Sequence, residues 1–197
     1  MKRTIDLVAA ATGLVLLAPL LLVIGLLVKL DSPGPVLFRQ ERVGRDGRIF
    51  RIRKFRTMVA DAPRLGGAIT VGRDPRVTRI GHWLRRYKLD ELPQLIDVLV
   101  GDMSLVGPRP EVPRYVAAYP PEARAKVLSV RPGLTDNAAL AFIDESAMLA
   151  GATDPEREYV EKILPQKLRH YLEYVEHPSV ARDLGILCRT LARVVWR

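Results

Sequence analysis

The chain has 197 residues, with 31 basic against 22 acidic side chains and a formal charge of +9 at pH 7. That length suits one domain with a core plus an anchor, and the charge favours anionic partners: nucleic acid, an acidic membrane surface or phosphorylated substrates. The single cysteine, Cys188, excludes an internal disulfide, and His82, His170 and His177 lack the spacing of a zinc site.

Residues 7–28, LVAAATGLVLLAPLLLVIGLLV, carry no charge. As a straight helix they measure about 33 Å against a hydrocarbon core of about 30 Å, so membrane insertion is expected. The run is long for a cleaved signal peptide and lacks a small-x-small site at its end. Lys2 and Arg3 precede it, and Lys29, Arg39, Arg42, Arg45 and Arg48 follow it. The positive-inside rule therefore draws both ends to the cytoplasm. Pro19 removes a backbone donor near the middle. A helix that enters and turns back at Ala18-Pro19 satisfies both ends, with arms of about 17 Å. A spanning helix with a mild kink satisfies the apolar length instead. The residues alone leave these two open.

After a breaker cluster at 31–35, Val36 to Arg42 and Arg48 to Lys54 alternate like two strands, with GRDG at 44–47 as the turn of a β-hairpin. Arg51, Arg53, Lys54 and Arg56 put positive charge at its exit. Residues 60–75 read as polar loop. A short helix is expected from Arg79 to Tyr87 and a second from about Asp90. In that second helix Leu92, Leu95, Ile96 and Leu99 share a face, Pro93 sits in the first turn and Gly101 stops the run. GDMSLVGPRPEVP then reads as irregular loop, with Pro108 and Pro110 stiffening the backbone around Arg109. Residues 111–128 are expected to be helical with a break at YPPE, VRPGLTD to be a rigid turn, and the segment around Pro165 to form one or two amphipathic helices. In RDLGILCRTLARVVWR, Leu184, Leu187, Leu191 and Val195 oppose Arg182, Arg189, Arg193 and Arg197. Such a helix lies in a membrane interface or packs on the core.

No P-loop, GxGxxG, GxSxG or HExxH motif is present. The chemistry is sought instead in KLDELPQL, residues 88–95. Asp90 is placed to cap the following helix, and that position also suits phosphate chemistry, because a helix N-terminus stabilises negative charge. An ionised Asp90 there can attack phosphorus. Glu91 beside it can hold a Mg²⁺ on a diphosphate, and Arg85, Arg86 and Lys88 can clamp phosphate oxygens.

KFRTM, LRRYKLDELPQLIDVLVGDMSLVGPRP and VRPGLT together resemble the bacterial sugar transferase family, the monotopic polyprenyl-phosphate phosphoglycosyl transferases, in its minimal catalytic form. The resemblance implies a mainly α fold with a small β-hairpin. A re-entrant membrane helix would occupy residues 1–30, bent at Ala18 and Pro19, and a cytoplasmic catalytic domain with interfacial amphipathic helices would occupy residues 31–197. It implies transfer of sugar 1-phosphate from a UDP-sugar to undecaprenyl or another polyprenyl phosphate at the cytoplasmic face of the bacterial plasma membrane, with UMP released. Downstream glycosyltransferases and a second copy of the chain are the candidate protein partners, and no nucleic acid. Residue by residue, Asp90 matches the nucleophile and Glu91 the second acid, beside Mg²⁺. Lys54, Arg85 and Arg109 match phosphate-contacting positions, and Arg131 a nucleotide contact. The chain departs from the family pattern after RPGLT, where it reads DNAALAFIDESAMLAG, and Asp97 stands where Asn is common. Ala18 lacks the hydroxyl that a Ser would offer at the bend.

Two other readings use some of the same features. A membrane-anchored basic binding protein accounts for charge and anchor but not for the acidic pair. A diphosphate hydrolase accounts for the pair and takes water as acceptor.

Overall fold

The computed structural model describes residues 1–65, 70–72 and 74–196. Residues 66–69 and 73 of the expected loop, and Arg197 of the expected terminal helix, lie outside the described residues. The apolar N-terminus forms α1 (Lys2–Asp31), a helix that contains Pro19 and runs through Ala18-Pro19 without interruption. Among the described residues it is the one helix long and apolar enough to cross a membrane. From Asp6 through Ala10, Leu17 and Ile24 to Val28, every third or fourth residue turns toward the rest of the chain. Val15, Leu16, Leu22, Val23 and Leu26 on the other side are exposed. An apolar face of that extent is what a lipid environment would cover.

The hairpin forms with strands β1 (Leu37–Val43) and β2 (Ile49–Phe55), paired Leu37↔Phe55 through Val43↔Ile49. Its turn places Asp46 (φ 56°) and Gly47 (φ 78°) in the left-handed region, which Asp tolerates and Gly favours. Phe50, Ile52 and Phe55 point into the core. After α2 (Ala62–Leu65), α3 (Arg79–Arg86) starts at Thr78, whose hydroxyl accepts the Gly81 N–H at 3.1 Å. Gly81 lies against β2's exit so closely that a Cβ would stand 2.1 Å from the Thr57 carbonyl oxygen, so no larger residue fits there.

The helix expected from Asp90 is divided. A single 3₁₀ turn covers Leu89–Glu91, and α4 (Gln94–Val100) begins after Pro93 and ends at Gly101, φ 97°. The stretch read as loop and turn holds instead a short parallel pair, β3 (Ser104–Val106) with β4 (Gly133–Thr135). Three-residue strands show no alternation long enough to read from sequence, and this pair depends on two glycines meeting. A Cβ on Gly133 would stand 2.1 Å from the Gly107 nitrogen.

The remaining helices are α5 (Pro113–Ala117), α6 (Pro121–Val127), α7 (Asn137–Ala141), α8 (Glu145–Met148), α9 (Pro155–Glu158), α10 (Leu164–Glu176) and α11 (Val180–Val195). A π-helical turn, Tyr159–Ile163, joins α9 to α10 just ahead of Pro165. The core has a region around α5, α6 and α10, with Tyr115, Leu164 and Tyr171 buried, and another that joins α1, β2, α4, β3 and α11. In α11, Ile186 is buried while Leu184 and Leu191 stay exposed, so the helix packs on the core and still presents apolar surface outward.

Candidate active site

The turn that carries the acidic pair is set by three local features. Next to α3's end, Lys88 takes a left-handed conformation (φ 55°) that reverses the chain. The 3₁₀ turn follows, and Pro93, which has no N–H to lose, opens α4. Asp90 is therefore the centre of a separate turn and not the cap of α4, as the spacing had suggested. It is 8% exposed, and its carboxylate accepts no hydrogen bond from the described residues.

Glu91 has the opposite surroundings. Its Oε1 accepts from Lys54 Nζ at 2.6 Å and from Arg109 Nη2, and its Oε2 accepts from Arg109 Nη1 at 3.2 Å. Lys54 comes from β2 and Arg109 from the loop after β3, so the ion-pair cluster joins three segments distant in sequence.

The electrostatics follow this geometry. Burial first, and the neighbouring Glu91 charge second, push the Asp90 carboxyl above the ordinary aspartate value; Lys54, Lys88 and Arg85 oppose them. Burial would push Glu91 up as well, but the Arg109 and Lys54 charges and the Arg109 hydrogen bond outweigh it and hold that carboxyl well below the usual range. Burial lowers Lys54, with Glu91 opposing. The Glu91 charge, against burial, raises Arg109 well above its ordinary value. The helix-end argument thus fails for Asp90, because desolvation dominates where no N–H of the described residues reaches the carboxylate.

Arg85, near the end of α3, donates Nε to Thr57 Oγ1 at 2.8 Å and Nη1 to Thr70 Oγ1 at 3.1 Å, and its charge acts on Asp90. Lys54, Arg85 and Arg109 are therefore gathered around the acidic pair. Arg131 is placed elsewhere. Its Nε donates to the Gly101 carbonyl at 2.9 Å, at the opposite end of α4. Ala18 and Pro19 lie inside α1, both exposed.

Two supporting groups, Arg42 and Glu111, were not singled out from the sequence, and a third, Asp97, was noted there only as a departure from the family pattern. Arg42, half-buried on β1, donates Nη1 to the Pro110 carbonyl at 3.0 Å and stands 3.7 Å from Glu111, pinning the loop that carries Arg109. Glu111 in turn accepts from the Tyr159 hydroxyl at 2.6 Å. Asp97, fully buried on α4, accepts the Arg53 N–H at 2.9 Å and pairs with the Arg53 guanidinium, so β2 and α4 are tied one residue before Lys54. An arginine on an alternating strand reads as surface charge, so no local signal announced Arg42. Asp97 carried one, an acid where the family pattern commonly has Asn.

Among the described residues no group of three or more His, Cys, Asp and Glu side chains stands together. A cation at the acidic pair would therefore take most of its ligands from substrate and water, the usual habit of Mg²⁺. Glu91 Oε2, with one bond at 3.2 Å, retains a lone pair for such an ion.

A family model described as bacterial sugar transferase matches residues 1–197. The chain is 55% identical over 201 residues to the undecaprenyl-phosphate glucose phosphotransferase of Komagataeibacter xylinus, covering 99% of this chain and 36% of that protein. It is 45% identical over 195 residues to the UDP-glucose:undecaprenyl-phosphate glucose-1-phosphate transferase of Caulobacter vibrioides, covering 96% of this chain and 68% of the relative. It is 39% identical over 212 residues to the exopolysaccharide production protein PSS of Rhizobium leguminosarum bv. phaseoli, covering 100% and 96%.

Proposed function

The chain belongs to the bacterial sugar transferase family, and from that membership we propose that it transfers a sugar 1-phosphate from a UDP-sugar to undecaprenyl phosphate. UDP-glucose is the first donor to test, because the Komagataeibacter and Caulobacter relatives carry glucose in their names. The observation that carries the reading is the asymmetry of the acidic pair: Glu91 is locked by two cations, while Asp90 is buried and its carboxylate accepts no hydrogen bond from the described residues.

Asp90 is the nucleophile. A carboxylate oxygen attacks the phosphorus that bears the sugar, the P–O bond to the uridine phosphate breaks, and UMP leaves with the bridging oxygen. An oxygen of undecaprenyl phosphate then attacks the same phosphorus. The aspartyl–phosphorus bond breaks, the lipid diphosphate sugar leaves and the Asp90 carboxylate returns. The raised basicity of Asp90 strengthens it as an attacking group once it is ionised. Lys54, Arg85 and Arg109 supply the positive field in which a diphosphate would settle. Mg²⁺ would be held by Glu91 together with diphosphate oxygens and would neutralise charge on the leaving phosphate.

The same proposal places the chain at the cytoplasmic face of the plasma membrane with α1 re-entrant and α11 at the interface. Both ends of α1 bond to one domain. Asp6 accepts from Ser104 Oγ at 2.8 Å and from Leu105 N–H at 3.2 Å, while Asp31 accepts the Ile80 N–H at 3.0 Å. Near the second end, Arg56 donates to the carbonyls of Val28, Ser32 and Pro33. A helix that crossed the bilayer would set its two ends on opposite sides of the membrane, and partners that belong to one domain could not then meet both.

Intact-protein mass spectrometry after exposure to a UDP-sugar panel without acceptor tests the chemistry. The expected result is a mass gain of one phosphosugar, absent in Asp90→Asn; turnover by Asp90→Asn would overturn it. Product analysis with and without undecaprenyl phosphate separates transfer from hydrolysis. Labelling of a cysteine added at the N-terminus, in a Cys188→Ala background, tests topology; labelling from the periplasmic side would reject the re-entrant form.

A further inference from the structure

We propose that Arg3 and Arg131 are positioning residues for the acidic pair, and that the membrane helix thereby forms part of the catalytic scaffold and not only the anchor. The proposal rests on Asp90 acting as nucleophile.

A helix leaves its last four carbonyls without partners inside the helix. In α4 these belong to Asp97, Val98, Leu99 and Val100, and the negative end of the helix dipole lies with them. Arg3, from the first turn of the membrane helix, donates Nη1 to Val98 O at 2.7 Å and Nη2 to Leu99 O at 3.2 Å. Arg131, from the segment before β4, donates to Gly101 O at 2.9 Å. Asp97 O accepts the Met103 N–H at 3.1 Å. Two guanidinium groups from segments 128 residues apart thus hold the same helix end.

The contact continues along the helix. Gly13 of α1 lies opposite Leu95, where a Cβ would come 3.3 Å from Leu95 Cδ1. Further on, Ile24 and Val28 pack in a cluster that includes Leu89, the residue before Asp90. The membrane helix therefore backs the whole segment from Leu89 to Met103. α4 is only about 10 Å long, so a shift at its C-terminal end is carried to the Asp90 turn with little to absorb it. Misplacement of a reacting group by about 1 Å costs up to about a hundredfold in rate.

The test uses the full chain in detergent micelles, where membrane orientation plays no part. Formation of the phosphosugar adduct from UDP-glucose without acceptor is timed in single turnovers across donor concentration. Arg3→Gln and Arg131→Gln should each slow the step about tenfold while the half-saturating UDP-glucose concentration stays within about twofold. Arg3→Lys should recover part of the loss, because an ammonium still meets one carbonyl. An unchanged rate in either Gln variant would overturn the proposal. So would a raised half-saturating concentration at an unchanged rate in Arg131→Gln, which marks a nucleotide contact.

Amide hydrogen exchange over residues 89–95, without substrate, is the second readout. Faster exchange there in both Gln variants is expected, and unchanged protection counts against the proposal. If the parent chain forms no adduct with any donor, the functional reading fails, and the exchange result still decides whether these arginines order the turn.

Discussion

At its C-terminal end α4 has carbonyls taken by Arg3 and Arg131 and a side chain, Asp97, held by Arg53. A few residues before its N-terminal end, Lys88 is in a left-handed conformation, and Asp90 is buried with no hydrogen bond to its carboxylate from the described residues. Bonding is concentrated at the end away from the acidic pair, and Asp90 stands at the end where, on the proposed function, a phosphate would arrive. Within the acidic pair the contrast repeats over one residue. Glu91 gives stability, and Asp90 keeps an unfavourable position that a substrate can exploit.

The largest way to break this contrast is Asp90→Asn. Adduct formation should fall at least about a thousandfold, while the thermal midpoint should hold or rise, because a carboxylate whose burial outweighs its nearby cations is removed. Glu91→Gln should do the reverse to stability. It leaves Lys54 and Arg109, both half-buried, without their counter-charge, a loss of about 1–3 kcal/mol by the usual cost of removing one partner of a charged hydrogen bond, read as a fall in the unfolding midpoint. A large drop for Asp90→Asn, or none for Glu91→Gln, would erase the distinction between the two carboxylates.

A pH series sharpens it further. On the proposed mechanism Asp90 attacks as the carboxylate, and burial raises its value. The rate of adduct formation should therefore fall, as pH is lowered, at a pH above the ordinary aspartate range. In stability the two groups act with opposite sign. Glu91, depressed in the fold, contributes stability above its unfolded value, and that is lost as pH falls through the folded one. Asp90, raised in the fold, contributes below its unfolded value, and that is lost as pH rises through the folded one. Unfolding midpoints of Asp90→Asn and Glu91→Gln across pH should converge on the parent from opposite directions.

What the sequence made legible was local. The uncharged run defined α1, the GRDG turn defined the hairpin to within one residue, and Gly101 defined the end of α4. The motif resemblance pointed to Lys54, Arg85 and Arg109, which the fold does bring around Asp90 and Glu91. What stayed hidden was long-range or unusual in backbone. Arg3 and Val98 are 95 residues apart, and nothing near either announces the other. Arg42 sits on a strand whose alternation reads as a charged edge. The β3–β4 pair needed two glycines from separate segments to meet. The start of α4 was misread because Leu92, Leu95, Ile96 and Leu99 keep helical spacing through a turn that is 3₁₀ at Asp90.

Lys88 offers the smallest test and the most local one. Its backbone is left-handed, which costs a residue with a side chain about 1–2 kcal/mol relative to an unstrained conformation. Glycine takes this conformation freely, so Lys88→Gly should stabilise the fold by up to about 1 kcal/mol if the turn is unchanged. The same change removes a cation that lowers both Asp90 and Glu91. The acid side of the rate profile should then move to higher pH, since Asp90 loses one of the charges that oppose its burial. Lys88→Arg separates the two effects. It keeps the charge and the strain, so neither midpoint nor profile should move. A Gly variant that is more stable but leaves the profile in place would show that Lys88 serves the turn alone; a shifted profile assigns it to the field around Asp90 as well.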